Sequence, residues 1–179
     1  MLEVSVVEPG ELSESDLTIG EALVRRAFGS GFRSHDWLHG VDGVHVVISD
    51  GNEMLAHASV VTRMLRHNDN VFRTGYVEAV AVRADQQGRG LGRLVMDHAE
   101  SVIRVRHDLG ALNAVKAAEG FYVARGWVLW DGPTRADASS GTVDTYDPVD
   151  LIYLLPANAA VPLDTETPLI CDWRPGDLW

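Results

Sequence analysis

The chain has 179 residues, a formal net charge of −11 and a single cysteine. This length suits one domain with a sizeable core and leaves no room for a second catalytic domain, so we expect a single domain over residues 1–179. The acidic balance argues against a nucleic-acid partner, the lone Cys171 excludes an internal disulfide or a multi-cysteine zinc site, and no run reaches the roughly 18–20 apolar residues of a membrane span.

The first half of the chain predicts two elements followed by three strands. Leu2–Val7 alternates and predicts an edge strand, and Ser13 or Ser15 can cap a helix that runs through Phe28. We interpret Gly29–Asp42 as a glycine-broken loop. The strands, separated by Asp-Gly and by an Asn/Asp cluster and therefore predicted to form an antiparallel meander, are Val44–Ser49, Met54–Leu65 and Val71–Arg83.

The second half predicts alternating helices and strands with one irregular stretch. A helix is expected over Leu91–His107 and a second one over Val115–Arg125, stopped by Gly126. Short strands are expected at Leu109–Leu112, Trp127–Trp130 and Leu151–Leu155. Residues 132–150 are rich in Gly, Pro, Ser, Thr and Asp and favour a surface loop or lid. The tail, residues 163–179, carries two tryptophans, and we expect it to pack back on the domain because tryptophan is costly to expose.

The segment that joins the third strand to the long helix carries the strongest chemical signal. Gly88, Gly90 and Gly92 allow backbone conformations closed to other residues and leave no side chain against an approaching anion. The following helix begins there, so unpaired amides and the helix dipole favour a phosphate group. Arg89 and Arg93 add charged donors. The pattern therefore predicts a phosphate-binding loop, with an ordinary strand-to-helix turn as the alternative.

Two better-known phosphate loops do not fit this segment. It lacks the Lys-Ser/Thr pair of a nucleotide-triphosphate loop, and its third glycine comes too early for the dinucleotide motif. The order of strand, Gln87-x-x-Gly90-x-Gly92, helix, and then a second helix carrying Phe121-Tyr122 resembles the GCN5-related N-acetyltransferases (GNAT). The resemblance implies an α/β fold with a mixed, largely antiparallel sheet flanked by helices, and a loop that binds the pyrophosphate of acetyl-coenzyme A.

Further motifs narrow the resemblance. Tyr76-Val77-Glu78, the run Ala124-Arg125-Gly126-Trp127 and the terminal Cys171-Asp172-Trp173-Arg174-Pro175-Gly176-Asp177-Leu178-Trp179 are together similar to the aminoglycoside 2′-N-acetyltransferases. The resemblance covers almost the whole chain. It implies transfer of an acetyl group from acetyl-CoA to the 2′-amine of an aminoglycoside.

Two residues match the catalytic positions of that family. Glu78 matches the general base, which acts on the amine through ordered water. An ammonium group cannot attack a thioester, so a base must first remove its proton, and a carboxylate can do this. Tyr122 matches the general acid that would protonate the leaving thiolate. The alternatives are an outward-facing strand carboxylate for Glu78 and a core aromatic for Tyr122.

The resemblance also implies a set of acetyl-CoA contacts. The backbone of Val80 and Val82 would hold the pantetheine arm as an added strand would, with the Val80 amide polarising the thioester carbonyl. The complete set of predicted acetyl-CoA residues is Val80, Ala81, Val82, Gln87, Gly88, Arg89, Gly90, Leu91, Gly92 and Arg93.

Carboxylates dominate the implied aminoglycoside site, because ammonium groups bind strongly to them. The predicted substrate contacts are Asp36, Glu78, Ala79, Asn113, Asp150, Asp177 and Trp179, the last through its α-carboxylate. Two positions depart from the family pattern: Gly31 stands where an acidic residue is expected, and Asn113 where a serine is expected.

Two other functions stay open at this stage. The acceptor could be another cationic amine, such as a polyamine, a cell-wall precursor or a protein lysine, or the protein could be a non-catalytic acyl-CoA sensor. No metal is expected, since His35, Asp36 and His39 form only a loose cluster. The N-terminus shows no signal sequence, so we expect a cytoplasmic protein without a membrane partner, and the resemblance implies a homodimer.

Overall fold

The chain forms two compact units, each built from two separate stretches of sequence. The computed structural model describes residues 1–158 and 162–179. The first unit comprises Met1–Val61 and Val77–Val102, and the second comprises Thr62–Tyr76 and Ile103–Trp179. Within the described residues, no helix is long and apolar enough to cross a membrane.

Antiparallel strands and helices make up the first unit. Its elements, three of which continue into the second unit, are β1 (Leu2–Val7), α1 (Glu14–Phe28), α2 (Ser34–Val41), β2 (Val44–Asp50), β3 (Glu53–His67), β4 (Asn70–Val82) and α3 (Leu91–Arg106). Strand β2 pairs antiparallel with both β1 and β3. The predicted strands and the two long helices are confirmed, with ends shifted by one or two residues.

Ser13 is the residue that starts α1. Its hydroxyl accepts a hydrogen bond from the amide of Asp16 at 3.1 Å, which satisfies one of the free donors of the first turn. Gly29, with a φ of 67°, ends the helix. Of the two predicted caps, Ser13 is therefore the one used.

The loop predicted over Gly29–Asp42 is wrong, because this stretch contains α2. The backbone amide of Arg33 donates to the Asp36 carboxylate at 2.6 Å, so a residue inside the helix caps its start. Trp37 anchors the helix by burying its ring among the core side chains of the first unit. A helix of eight residues with one apolar anchor gives almost no periodic signal, and this explains why the sequence suggested a loop.

The second unit contains the remaining strands and one short helix. They are β5 (Leu109–Ala114), α4 (Glu119–Val123), β6 (Val128–Leu129), β7 (Thr134–Ala138), β8 (Gly141–Asp144), β9 (Leu151–Pro156) and β10 (Leu169–Asp172). Strand β5 lies parallel to β4 and antiparallel to β9, which in turn pairs antiparallel with β6. The sheet is therefore mixed, as predicted for an α/β fold.

One prediction in this unit needs correction, and the tail holds a strand that was not predicted. Residues 132–150 hold the hairpin β7–β8, whose strands pair from Arg135 with Asp144 to Ala138 with Gly141. In addition, the tail contains β10, which pairs parallel with β7 and antiparallel with β3. Both were missed because the strands are short and their stability comes from partners distant in sequence.

Candidate active site

Strand β4 carries a local irregularity next to the predicted catalytic carboxylate. Ala79 has a φ of 54°, in the left-handed region that residues other than glycine rarely adopt. Glu78, Ala79 and Val80 are all half-buried, so buried and exposed side chains do not alternate at this point of the strand. The irregularity changes the direction of the backbone between Glu78, the predicted base, and Val80, whose amide is the predicted donor to the thioester.

The C-terminal half of α2 packs beside Glu78. A Cβ placed on Gly40 would lie 3.3 Å from the Cβ of Glu78 and 3.4 Å from that of Ser59, so glycine permits this close approach. Ser59 fixes the contact by donating its hydroxyl hydrogen to the backbone oxygen of Gly40. The helix that the sequence did not predict therefore positions the surroundings of the predicted base.

Asp36, a predicted substrate contact, is engaged locally. One carboxylate oxygen accepts from the Arg33 amide at 2.6 Å and the other lies 3.1 Å from the His35 Nε2. Its first demonstrable role is therefore to cap α2, and any substrate contact would be additional.

The glycine loop has the conformation expected for anion binding at two of its three glycines. Gly88 and Gly90 have φ values of 73° and 83°, and both are exposed. Gly92 lies in the first turn of α3 without a positive φ, so the special backbone conformation expected of it is wrong. A Cβ added there would make an ordinary contact with Val82 at 3.7 Å. Arg89 lies on the loop and donates to Gln86 at 2.6 Å.

Helix α3 begins at Leu91, directly after the loop. The first amides of a helix lack partners within it, so those of the loop and first turn are available to an anion. Arg93 is exposed on this turn, whereas Leu91 is buried and can offer only its backbone. Gln87 turns its side-chain amide toward the Val82 carbonyl at 3.4 Å.

A pocket of about 610 Å³ opens in the first unit near this loop. Val82 and Gln87, both predicted acetyl-CoA contacts, lie on its wall together with Leu23 and Arg26 of α1. Arg83 also lines it and is paired with Glu53 at 2.9 Å. The pocket thus combines apolar walls with charged groups.

Tyr122, the predicted general acid, lies in the second unit inside an aromatic cluster. It is buried on α4, with ring centres 6.0 Å from Trp127 and 6.1 Å from Tyr153. Tyr153 is fully buried, its hydroxyl has no hydrogen-bond partner among the described residues, and burial, followed by the charge of Glu119, raises its pKa. This second buried phenol was not singled out from the sequence, which shows it only as an apolar strand residue.

Three predicted substrate contacts come close together in the second unit. Asn113 donates to the Asp150 carboxylate at 2.7 Å and accepts from the Leu151 amide at 3.0 Å, so it orders the start of β9. Burial, opposed by that bond and reinforced by the charges of Asp177 and Asp147, raises the pKa of Asp150. The arrangement concentrates negative charge where a cation would relieve it.

The C-terminal residue is held firmly. Trp179 is buried, and its indole donates to the Thr145 hydroxyl at 2.8 Å. Trp173, by contrast, is 54% exposed, so only one of the two tail tryptophans is buried.

Arg63 is the anchor of the tail and was not found from the sequence. Its guanidinium is buried and donates to the Leu178 carbonyl at 2.6 Å, to the Asp172 carboxylate at 2.9 Å and to the Asp172 carbonyl at 2.8 Å. It also lies 4.9 Å from the ring centre of Tyr76. An arginine on a strand predicts a solvent-facing charge, and only the tertiary structure brings its partners to it.

Cys171 is buried on β10, where burial raises the pKa of its thiol to about 11. A thiol with that pKa is a poor nucleophile at neutral pH. Among residues 1–158 and 162–179, no cluster of three or more His, Cys, Asp or Glu side chains is placed to hold a metal ion.

Comparison with known proteins decides the family. The profile described as "Acetyltransferase (GNAT) family" matches residues 16–127. An aminoglycoside 2′-N-acetyltransferase of Mycolicibacterium fortuitum is 40% identical over 176 residues, covering 97% of this chain and 90% of that protein. The chain belongs to the GNAT acetyltransferase family. As a GNAT protein it is an acyltransferase, and acetyl-CoA is the donor that the family uses.

Solved structures support the GNAT fold. Escherichia coli ElaA has a TM-score of 0.63 at 18% identity, covering 86% of this chain and 99% of that one. The ribosomal-protein-S18-alanine N-acetyltransferase of E. coli has a TM-score of 0.62 at 20% identity, covering 90% and 97%. At these identities the likeness shows the fold alone, and the predicted GNAT fold is confirmed.

Proposed function

We propose that this GNAT enzyme transfers the acetyl group of acetyl-CoA to the 2′-amine of aminoglycosides. The observation that carries the proposal is the 40% identity, over nearly the full length, to a protein named for that reaction. The acidic composition and the negative charge around Asp150 support a polycationic acceptor. Antibiotic resistance would follow from the reaction.

Binding of acetyl-CoA is assigned to the end of β4 and the loop that follows. The left-handed Gly88 and Gly90 and the first turn of α3 would receive the pyrophosphate, aided by Arg89 and Arg93. The backbone of Val80, Ala81 and Val82 would align the pantetheine arm, and the Val80 amide would donate to the thioester oxygen. The exposure of the loop glycines fits this assignment.

The chemistry needs one base and one acid. Glu78 would remove a proton from the 2′-ammonium group, directly or through water, so that the nitrogen lone pair can attack the thioester carbonyl. The carbon–sulfur bond then breaks, Tyr122 would protonate the departing thiolate, and the acetylated nitrogen would release its second proton, which restores the tyrosine. Direct attack needs no covalent enzyme intermediate, in keeping with the inert, buried Cys171.

Aminoglycoside recognition is assigned to carboxylates and to the C-terminus. Asp36, Asp150, Asp177 and the α-carboxylate of Trp179 would accept hydrogen bonds from ammonium and hydroxyl groups. Asn113 would act through Asp150, which it already holds at 2.7 Å. A cytoplasmic location and a homodimer accompany this proposal as predictions.

The deciding experiment is release of CoA thiol from acetyl-CoA, measured with an enzyme whose C-terminus carries no tag. Gentamicin and tobramycin, which have a 2′-amine, are compared with kanamycin A, which has a 2′-hydroxyl. Turnover confined to the first two is expected. Turnover of all three would move the attack to another amine, and tight acetyl-CoA binding without any turnover would favour a different acceptor or an acyl-CoA sensor.

A further inference from the structure

We infer that His57 is a positioning residue for acetyl transfer: its ring holds the carbonyl of Ala79 and thereby fixes the left-handed backbone between Glu78 and Val80. The inference rests on the proposed function, because it takes the Glu78 carboxylate and the Val80 amide as the working groups. His57 lies on β3 and reaches β4 entirely within the first unit.

A continuous row of polar atoms runs from the end of α2 to β4. The Val41 carbonyl lies 3.0 Å from the His45 Nε2, the His45 Nδ1 lies 2.9 Å from the His57 Nε2, and the His57 Nδ1 lies 2.9 Å from the Ala79 carbonyl oxygen. Both rings are buried, and Trp37 packs with its ring centre 5.5 Å from that of His57. Two buried histidines therefore lie in a row between a helix end and one backbone carbonyl.

The conformation of Ala79 needs such support. Among the described non-glycine residues, only Asn68 and Ala79 have a positive φ. Asn68 lies in the turn that joins β3 to β4, and asparagine tolerates this region well. Ala79 lies inside a strand and has no polar side chain, so its left-handed φ must be stabilised from outside. The hydrogen bond from His57 to the Ala79 carbonyl supplies such support.

Counting protons limits the tautomers that the row allows. Both ends of the row are carbonyl oxygens, which only accept, so three hydrogen bonds need three protons, whereas two neutral rings carry two. Burial, opposed by the Ala79 carbonyl and reinforced by His45, lowers the pKa of His57 to about 4, so this ring is neutral at pH 7. Burial also lowers the pKa of His45, so we treat that ring as neutral too. We assign the single proton of His57 to Nδ1, facing Ala79, and that of His45 to Nδ1, facing the His57 Nε2; the contact of the His45 Nε2 with the Val41 carbonyl is then the one that lacks a proton.

The tautomer is directly measurable. In nitrogen-15 spectra of the histidine rings, His57 should show a protonated Nδ1 and an unprotonated Nε2 at neutral pH. A protonated Nε2 with a bare Nδ1 would overturn the inference, because Ala79 would then receive no hydrogen bond. This readout does not depend on enzyme activity.

Two substitutions of His57 test separately the hydrogen-bond donor and the volume of the ring. Asparagine can place an N–H where Nδ1 lies, whereas leucine fills similar space without a donor. We expect His57→Leu to lower kcat about 10-fold while the KM for the aminoglycoside changes less than about twofold, and His57→Asn to retain most of kcat. Equal losses in both variants would overturn the inference. If His57→Leu does not fold, His57→Gln, whose amide lies nearer the Nε2 position, replaces it.

A double-mutant cycle with Ala79→Gly tests whether His57 acts through this backbone. Glycine adopts positive φ without strain, so the loss of kcat caused by His57→Leu should shrink markedly when glycine stands at 79. An undiminished loss would overturn the inference. The two failures look different: a wild type that acetylates no aminoglycoside overturns the proposed function, whereas an active wild type whose His57→Leu variant keeps its kcat overturns only the role of His57.

Discussion

The Arg63 guanidinium donates to the backbone oxygen of Leu178, the residue before the C-terminal tryptophan, across 2.6 Å. The same group is 4% exposed and also binds Asp172 twice, so one buried cation fixes the tail. Because charge-assisted bonds of this kind are among the strongest in proteins, the position of the terminal carboxylate depends on Arg63.

Replacing Arg63 by methionine should therefore impair substrate binding more than chemistry. We expect the KM for the aminoglycoside to rise about 10-fold, with a smaller change in kcat and a lower Tm, since three acceptors in the tail lose their charged donor. Steady-state kinetics and thermal unfolding measure both effects. Arg66→Met is the matched control: it lies on the same strand and has only a surface pair with Asp137, so little should change. An unchanged KM in Arg63→Met would contradict the anchoring role.

Glu78→Gln should lower kcat by about 10²-fold or more at neutral pH, because the amide cannot accept the proton of the ammonium group. Binding of acetyl-CoA, measured by calorimetry, should be unaffected. Glu53→Gln provides the control, since this carboxylate lies on β3 in the same unit and pairs with Arg83 on the surface. A Glu78→Gln enzyme with the wild-type kcat would contradict the assignment of Glu78 as the general base.

The two neighbouring buried phenols allow a paired test of the acid. Tyr122→Phe should lower kcat about 10²-fold if its hydroxyl protonates the thiolate. Tyr153→Phe should change kcat little, because that hydroxyl has no hydrogen-bond partner among the described residues. Stopped-flow measurement of thiol release distinguishes them, and the reverse ranking would transfer the role to Tyr153.

Asp150→Asn should stabilise the protein at neutral pH while raising the KM for the aminoglycoside. Burial raises the pKa of Asp150, and the charges of Asp177 and Asp147 add to this, so its ionised form costs the folded state free energy. The new amide oxygen can still accept from Asn113. The gain in unfolding free energy should be present at pH 7 and fade as the pH falls through the raised pKa, where the wild-type carboxyl is also neutral. Denaturant unfolding at several pH values measures it, and a gain that is independent of pH would contradict the explanation.

His107 should make the protein sensitive to mild acid. Burial, followed by the charges of Arg73 and Arg106, lowers the pKa of His107 to about 4, and its Nδ1 is buried without a partner among the described residues. In the unfolded chain His107 takes up a proton near pH 6.5, whereas in the folded protein it stays neutral down to about pH 4. The contribution of the neutral ring to the free energy of unfolding is therefore fully present above pH 6.5 and is lost as the pH falls toward 4.

In His107→Gln, the unfolding free energy should depend less steeply on pH in this interval, by up to about 1.4 kcal/mol per pH unit. Urea unfolding between pH 4 and pH 7 measures the slopes. Identical slopes for the variant and the wild type would show that His107 does not titrate as expected.

Local patterns in the sequence determined the long elements and the conformation of the glycine loop. Residues 14–28 and 91–106 show helical spacing over three or more turns, and the glycines at 88 and 90 have the left-handed backbone that their residue type predicts. The resemblance to the GNAT family, carried by this order of elements and by the glycine motif, implied the fold. These features depend on residues close together in the chain, so the sequence displays them directly.

Only the tertiary structure decided which distant residues support the site. Helix α2 is stabilised by Trp37, which packs in the core of the first unit, and β10 is stabilised by its pairing with β3. Neither contact can be read from the neighbouring residues in the sequence. The contact of Arg63 with Leu178 joins residues 115 positions apart, and that of His57 with Ala79 joins residues 22 positions apart. The sequence by itself determined the kind of chemistry, through residue types at fixed local spacing. The fold determined the positioning groups, because hydrogen bonds between buried side chains and remote carbonyls form only once the strands are paired.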